Sequence, residues 1–326
     1  MDNDFIGRRI SYGAAKETTR GTAAASAAFW LPHLEADFQD KQTKALNDSA
    51  LGVIDKNNDS IVTEEWAEGK LAGKVQNESF GLILLAALGS VSSVAGSAPG
   101  TYKHTFDRNN TNLAPSLTLY RKDPTNDVRF VLSVLKSLEI EIVTGEYVKY
   151  TANFISRKGS TTTNTVSFLA TEAEFTSKYG ALKLAANIAG LTGATAASIK
   201  TAKIKIEREA EAYYQVGSVT PAEIHNKTFD VTVEVEKRYS DNTYKDAAHN
   251  NTKQALSLAL VNTDDVIGTG GQPSLTFTMP SVVVSEWELD QGLDDVVMES
   301  FTLQGLFSLS AGYQLRAELV NTTATY

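Results

Sequence analysis

Apolar and polar residues alternate one by one along several stretches of this chain, and a period of two commits those stretches to strands with one buried face. Val231, Val233 and Val235 alternate with Thr232, Glu234 and Glu236, and Ile204 and Ile206 with Lys203, Lys205 and Glu207. Ile140 and Ile142 alternate with Glu139 and Glu141, and Trp287 and Leu289 with Glu286 and Glu288. Helix signals are few. Asn77 as an N-cap, then Phe80, Ile83, Leu84, Ala87 and Leu88 at helical spacing and a stop at Gly89, predicts one amphipathic helix. A polar, weakly patterned stretch from Asn242 to Thr252 predicts a second. Two runs of small residues with glycine, Ser90 to Gly100 and Leu191 to Ser198, read as loops.

The strand pattern is also repeated. Pro115-Ser116-Leu117-Thr118-Leu119 returns as Pro273-Ser274-Leu275-Thr276-Phe277, and Glu139-Ile140-Glu141-Ile142 before Gly145 returns as Glu286-Trp287-Glu288-Leu289 before Gly292. Around these anchors the order also recurs. It runs from a long alternating strand (62–75, 229–239) through a helix, a short strand (102–106, 256–260) and the Pro-Ser-Leu-Thr strand to a hairpin ending at Gly159 or Gly305. Repeats at a fixed order change the fold reading. The chain is expected to hold two units, 1–159 and 198–326, joined by 160–197. With 326 residues, each could bury a core of its own.

Composition removes several classes of function. There is no cysteine, so disulfides, thiolate metal sites and cysteine nucleophiles are out. Thirty Lys and Arg against 39 Asp and Glu leave a net charge of -9, which disfavours direct reading of nucleic acid. Met1 leads into Asp2, Asn3 and Asp4 with no targeting pattern, and the most apolar run, Phe80 to Leu88, is too short to span a bilayer. A soluble, cytoplasmically made chain is expected.

Catalytic and metal constellations find little purchase. Asp55, Asn57 and Asp59 match the first ligand positions of an EF-hand loop, but Ser60 replaces the turn glycine and Trp66 the bidentate glutamate, so a polar turn feeding a strand is the simpler reading. His33, His104, His225 and His249 are scattered, no Gly-x-Ser-x-Gly or P-loop is present, and the glycines at 268, 270 and 271 have no flanking strand and helix. The pairs Glu139/Glu141 and Glu286/Glu288 lie roughly 7 Å apart on one strand face. Glycosidase chemistry could use such a pair, but recurrence in both halves suits a repeated surface better. No enzyme activity and no cofactor is expected. A calcium-dependent β-sandwich adhesin using Asp55 to Asp59 is the alternative.

The stretch Gly13 to Thr22 (GAAKETTRGT), the helix ending at Leu88-Gly89, the His104-Thr105-Phe106 strand, Pro115 to Leu119, the hairpin from Ser137 to Gly159 and the end Glu318-Leu319-Val320-Asn321 with Tyr326 carry a resemblance. In that order they resemble the major tail tube proteins of long, non-contractile-tailed bacteriophages. The resemblance implies a mainly β fold of two tandem β-sandwich or barrel-like tail tube domains, each with one helix, whose strands join neighbouring subunits into a closed barrel. It implies a virion tail protein assembled in the bacterial host cytoplasm. Its rings would stack into the conduit for genome ejection, with a tape measure protein and a tail terminator as partners, no membrane, and DNA passing without specific binding. The family's simplest pattern is a hexamer of single domains; with two units per chain, a trimer with pseudo-six-fold symmetry is expected.

Glu64 and Glu68 in the first half and Glu234 and Glu236 in the second, on the longest strands, are the expected lumen carboxylates. Asp55, Asp59, Ser92 and Gly96 are expected at contacts between rings. Leu84→Asp should bury an unpaired charge at a cost of several kcal/mol; loss of the cooperative melt and of soluble protein is the expected outcome.

Overall fold

The computed structural model describes residues 6–293 and 295–326; Met1 to Asp4, read above for a targeting signal, lie outside them. The first half runs β1 (Ser11–Lys16), β2 (Phe29–Leu31), β3 (His33–Ala36), β4 (Gln39–Asn47), β5 (Asp59–Lys74), α1 (Phe80–Leu88), β6 (Gly89–Ala95), β7 (Tyr102–Arg108), β8 (Leu117–Lys122), β9 (Asp127–Val143), β10 (Lys149–Ser156) and β11 (Ser160–Thr161). The second runs β12 (Gly180–Ala185), β13 (Thr201–Glu207), β14 (Ala210–Tyr213), β15 (Glu223–Asn226), β16 (Asp230–Arg238), α2 (Thr243–His249), β17 (Gln254–Val261), β18 (Ser274–Asp290), β19 (Met298–Gly305) and β20 (Arg316–Asn321). Mainly β is the outcome, as the alternation requires. Among the described residues no helix is long and apolar enough to cross a membrane.

The strand pairings in the two halves correspond. β1 pairs with β8 and β8 with β9, as β12 pairs with β17 and β17 with β18. β3 pairs with β5, β5 with β10 and β10 with β9, as β13 pairs with β16, β16 with β19 and β19 with β18. This correspondence shifts two of the sequence matches. By its partners β17 is the counterpart of β8, not of β7, and Pro273 opens the counterpart of β9 rather than of β8. The reason is local: in the first half Asp123 Oδ1 accepts the backbone N–H of Thr125 (2.9 Å) and Asn126 (2.6 Å), closing a turn that separates β8 from β9. Among the described residues β6 and β7 have no counterpart in the second half; they form a hairpin whose second strand, β7, lies between β6 and β20 and pairs with both. β12, within the expected connecting stretch 160–197, belongs by pairing with the second half.

Ser90 to Gly100 is therefore not a loop. Ser90 to Ala95 extend as β6, and only Gly96 to Gly100 turn, with Gly96 N–H donating to Thr101 O (2.8 Å). The composition misled because small residues are acceptable on a strand that sends little to the core, here Val91 and, against His104, Ser93.

One hydrophobic core runs through both halves, from Tyr12 to Tyr326. α1 lies inside it, and every one of its nine residues is buried, so it is not the amphipathic helix expected. FGLILLAAL has no polar residue to expose, and strands β1, β6, β7, β9 and β20 surround it. Gly89 ends it at φ 97 with its N–H on Leu85 O. Asn77 is not its cap. Its Oδ1 accepts Ala173 N–H (2.7 Å), while the carboxylate of Glu172, raised in pKa chiefly by burial, accepts Ser79 N–H at the helix start. α2 is shorter and lies against β18 and β19, stacking Tyr244 on Phe301 with ring centroids 4.2 Å apart.

The end of the described chain is clasped onto the start of α1. Tyr326 donates its hydroxyl to Glu78 O, and the Glu78 carboxylate accepts from the backbone and hydroxyls of Thr322 and Thr323. A Cβ at Gly81 would meet the Tyr326 ring at 2.1 Å, so glycine is required there by close approach. Buried His104 completes the cluster, bonded to Ser93 Oγ (2.7 Å), Asn321 Oδ1 (2.9 Å) and Thr323 O (2.9 Å). Gly81→Ala should destabilise the chain by about 1–3 kcal/mol. On a Tyr326→Ala background the same change should cost far less, which a double-mutant cycle from chemical denaturation would read.

Burial pulls the His104 pKa below 6.5, against the opposing pull of its hydrogen bonds to Asn321 and Thr323 and of the nearby Glu78. The unfolded chain then takes up the proton first, so this group leaves stability unchanged above about pH 6.5 and removes it as pH falls below that. Between pH 7 and pH 5, His104→Gln should lose less stability than the wild-type chain in the same denaturation series.

Candidate functional site

Eight strand positions stand side by side through the molecule in the order β3 with β4, β5, β10, β9, β13, β16, β19, β18, and every neighbouring pair is antiparallel. The centre of this spine is the β9·β13 seam, where the two halves meet over seven register pairs from Thr201↔Val143 to Glu207↔Ser137. One face of the spine is apolar and built into the core by Leu71, Leu138, Ile140, Ile204, Val233 and Leu303. Strand alternation therefore sends Lys70, Thr151, Glu139, Glu141, Lys203, Lys205, Glu234, Glu236, Thr302, Glu286 and Glu288 to the other face, where all of them are half-buried or exposed and none belongs to the core.

Glu68, Glu234 and Glu236, expected from the sequence at a channel lumen, lie on this face by strand parity. The sequence did not pick Glu139, Glu141, Glu286 and Glu288, although their alternation was visible; what joins them to Glu234 is the register of β9 with β13, a contact between halves that periodicity cannot supply. Glu141, Glu234, Glu236, Glu286 and Glu288 line one shallow trough together with Lys203. Glu64 is carried away from them on an extension of β5. There it accepts a hydrogen bond from Thr43 Oγ1 (3.4 Å) and, after burial itself, helps Glu68 push the Tyr214 pKa up to about 12.

The face is mixed rather than purely acidic. Lys203 Nζ lies 2.8 Å from Glu139 Oε1, Lys200 Nζ 2.9 Å from Glu236 Oε1, Lys205 Nζ 2.7 Å from Glu207 Oε1 and Lys70 Nζ 2.7 Å from Glu35 Oε1. The hydrogen bond to Glu139 raises the Lys203 pKa, with Glu234 and Glu141 adding to it against desolvation. Among the described residues Glu141, Glu234, Glu286 and Glu288 have no ion-pair partner, so the excess on the face is negative toward β18.

The two ends of the spine differ from its middle. The C-terminal half of β9 is flanked on both sides, Glu139 lying opposite Thr151 on β10 and Lys205 on β13. The matching half of β18 is flanked by β19 alone, Glu288 lying opposite Ser300, and no described strand pairs with the other edge of Val283 to Asp290. At the opposite end β3 pairs, among the described residues, only with β5. With eight strand positions alternating in direction, an edge of β3 brought to the free edge of β18 on a second copy would be antiparallel to it.

Beyond β3, β4 and β5 leave the body as a hairpin arm paired from Gln39↔Glu68 to Asn47↔Asp59, on the order of 30 Å long by strand rise. Asp55 and Asp59 sit at its exposed end. Ser92 is on the exposed side of β6 and Gly96 opens the turn after it. The four histidines fall in β3, β7, β15 and α2, and among the described residues no group of three or more His, Asp or Glu is placed to hold a metal ion.

The sequence profile of a family described as phage tail tube protein matches residues 7–305. No curated protein matches the chain. Lys203→Glu, which would crowd carboxylates at the seam, should cost about 1 kcal/mol, and 0.5 M salt should shrink that loss in urea denaturation.

Proposed function

The chain belongs to the phage tail tube protein family, and from that premise we propose that copies of it join edge to edge into rings that stack into a tail tube. The observation that carries the reading is the pair of free, mutually antiparallel edges at the ends of an otherwise paired spine. Unpaired strand edges attract other strands, and closure into a barrel is the arrangement that removes them altogether. Residues 1–159 and 198–326 act as two tail tube domains in this reading, with 160–197 between them lending β12 to the second. The support is the correspondence of strand partners in the two halves. Three chains then make a ring with pseudo-six-fold symmetry. Its inner wall has about 24 strands and is on the order of 40 Å across at the backbone, wide enough for duplex DNA.

The uncovered face of the spine is the wall of that channel. Lysines held in ion pairs offer few free cations to phosphates, and the unpaired carboxylates repel them over a Debye length of about 8 Å at physiological salt. DNA is thereby kept from the many lysine contacts that would hold it in place. The end of the β4–β5 arm, with Asp55 and Asp59, and the β6–β7 hairpin, with Ser92 and Gly96, project toward neighbouring rings. A tape measure protein inside the tube and a terminator at its end are the remaining partners, in a virion tail assembled in the host cytoplasm.

Electron microscopy of the purified protein with native mass measurement tests the ring: three chains per ring are expected, and six would contradict the two-domain reading. Glu234→Lys with Glu236→Lys should still assemble but slow genome ejection measured as DNA release. Normal release would remove these carboxylates from the channel wall.

A further inference from the structure

Within one chain, the link from β13 to β16 is a hairpin, β14·β15, that does not stay with its own half but lies across the first. Ile224 is fully buried there against Leu132, Val134 and Ile155, with Trp66 beside them. Arg157 donates to Pro221 O (2.9 Å) and Ala222 O (2.7 Å), Arg20 pairs with Glu223 (2.8 Å), and Glu65 N–H reaches Val219 O (2.7 Å). The hairpin is thus a clasp, reaching over the β9·β13 seam to hold the half beyond it.

The β4–β5 arm occupies the same place in the first half, since it leads from β3 into the body of β5 as β14·β15 leads from β13 to β16. In one chain it has nothing to clasp. Its far end exposes Leu46 (59%), Leu51 (67%), Val53 (61%), Ile54 (104%) and Ile61 (67%), an apolar set that a solitary hairpin in water has no means to bury.

The seat for it is present on the second half. Ile155, part of the seat of Ile224, is registered with Val134, and in the matching place Leu306 N–H donates to Ser281 O (2.8 Å). Next to it Phe307 (50%) and Leu309 (91%) are exposed with no clasp above them. We propose that the arm of each chain crosses the seam between copies and packs its apolar end on the Leu306 to Leu309 surface of the neighbouring copy. It repeats between chains the clasp that β14·β15 makes within one. The inference rests on the edge-to-edge ring proposed above, and it assigns the arm a partner in the same ring as well as any contact its tip makes beyond it.

Because the chain has no cysteine, Ile61→Cys can be labelled at one position with a benzophenone probe. Light- and heavy-isotope chains are then mixed, assembled, irradiated and mapped by mass spectrometry. Adducts joining the arm of one chain to the 306–309 stretch of another are expected. Assembled rings whose adducts map elsewhere, or only within one chain, overturn the arm assignment and leave the ring standing. Failure of the unlabelled wild-type protein to form rings overturns both. As an independent check, Ile54→Asp with Ile61→Asp should leave the melting of the monomer unchanged, because both side chains are exposed there, and lower the assembled fraction at least tenfold; unimpaired assembly overturns the inference.

Discussion

The backbone hydrogen bonding of the β9·β13 seam is the interaction on which the rest of the architecture depends. It welds two half-spines into one antiparallel sheet, sets Lys203 against Glu139, and lets one hydrophobic core run from Tyr12 to Tyr326. The ion pair itself is about one-third exposed and contributes little, about 0–1 kcal/mol. The ladder of backbone bonds and the row of Ile140, Ile142, Ile204 and Ile206 beneath it do most of the holding. The same seam exposes what is missing at the ends, since β18 is built like β9 but lacks a counterpart of β13 along its outer edge.

A sheet with two bare edges is a liability in a protein meant to stay alone. In the ring proposed for this chain of the phage tail tube family it is the device for assembly. The even number of strand positions makes the two edges antiparallel to one another, so the pairing type used throughout the spine can continue from copy to copy. The buried clasp at Glu78, Gly81, His104 and Tyr326 lies on the core side and ties β7 and β20 to α1, and because β20 pairs with the start of β18, it backs the spine at that end.

Much of this was legible in the residues. The alternation at 139–142, 203–207, 231–236 and 286–289 gave strands with outward carboxylates, and a buried face in the first three, because period two is a direct consequence of strand geometry; Trp287 and Leu289 are only half-buried on the end of β18 flanked by β19. Gly89 marked the end of α1 for the equally local reason that a left-handed residue is needed there. What failed were inferences needing long-range partners. Asn77 has the chemistry of a cap, yet its amide is spent on Ala173, nearly a hundred residues away. The five apolar residues of α1 look like one face until strands are found on all sides. Pro-Ser-Leu-Thr occurs twice by composition but opens strands with different partners, whereas the real correspondence, β8 with β17 and β9 with β18, lies in pairing and leaves only the Glu-x-Glu trace. Glu64 and Glu68 share a strand face by parity, but the arm carries Glu64 off the spine.

The central claim is that the outer edges of β3 and β18 are joined between copies. Amide hydrogen exchange compares the assembled protein with the isolated chain at His33 to Ala36 and Val283 to Asp290. On assembly both stretches should gain protection of at least a hundredfold, while Glu139 to Val143, already paired on both sides, changes little. Unchanged exchange at both edges in fully assembled tubes would contradict the account.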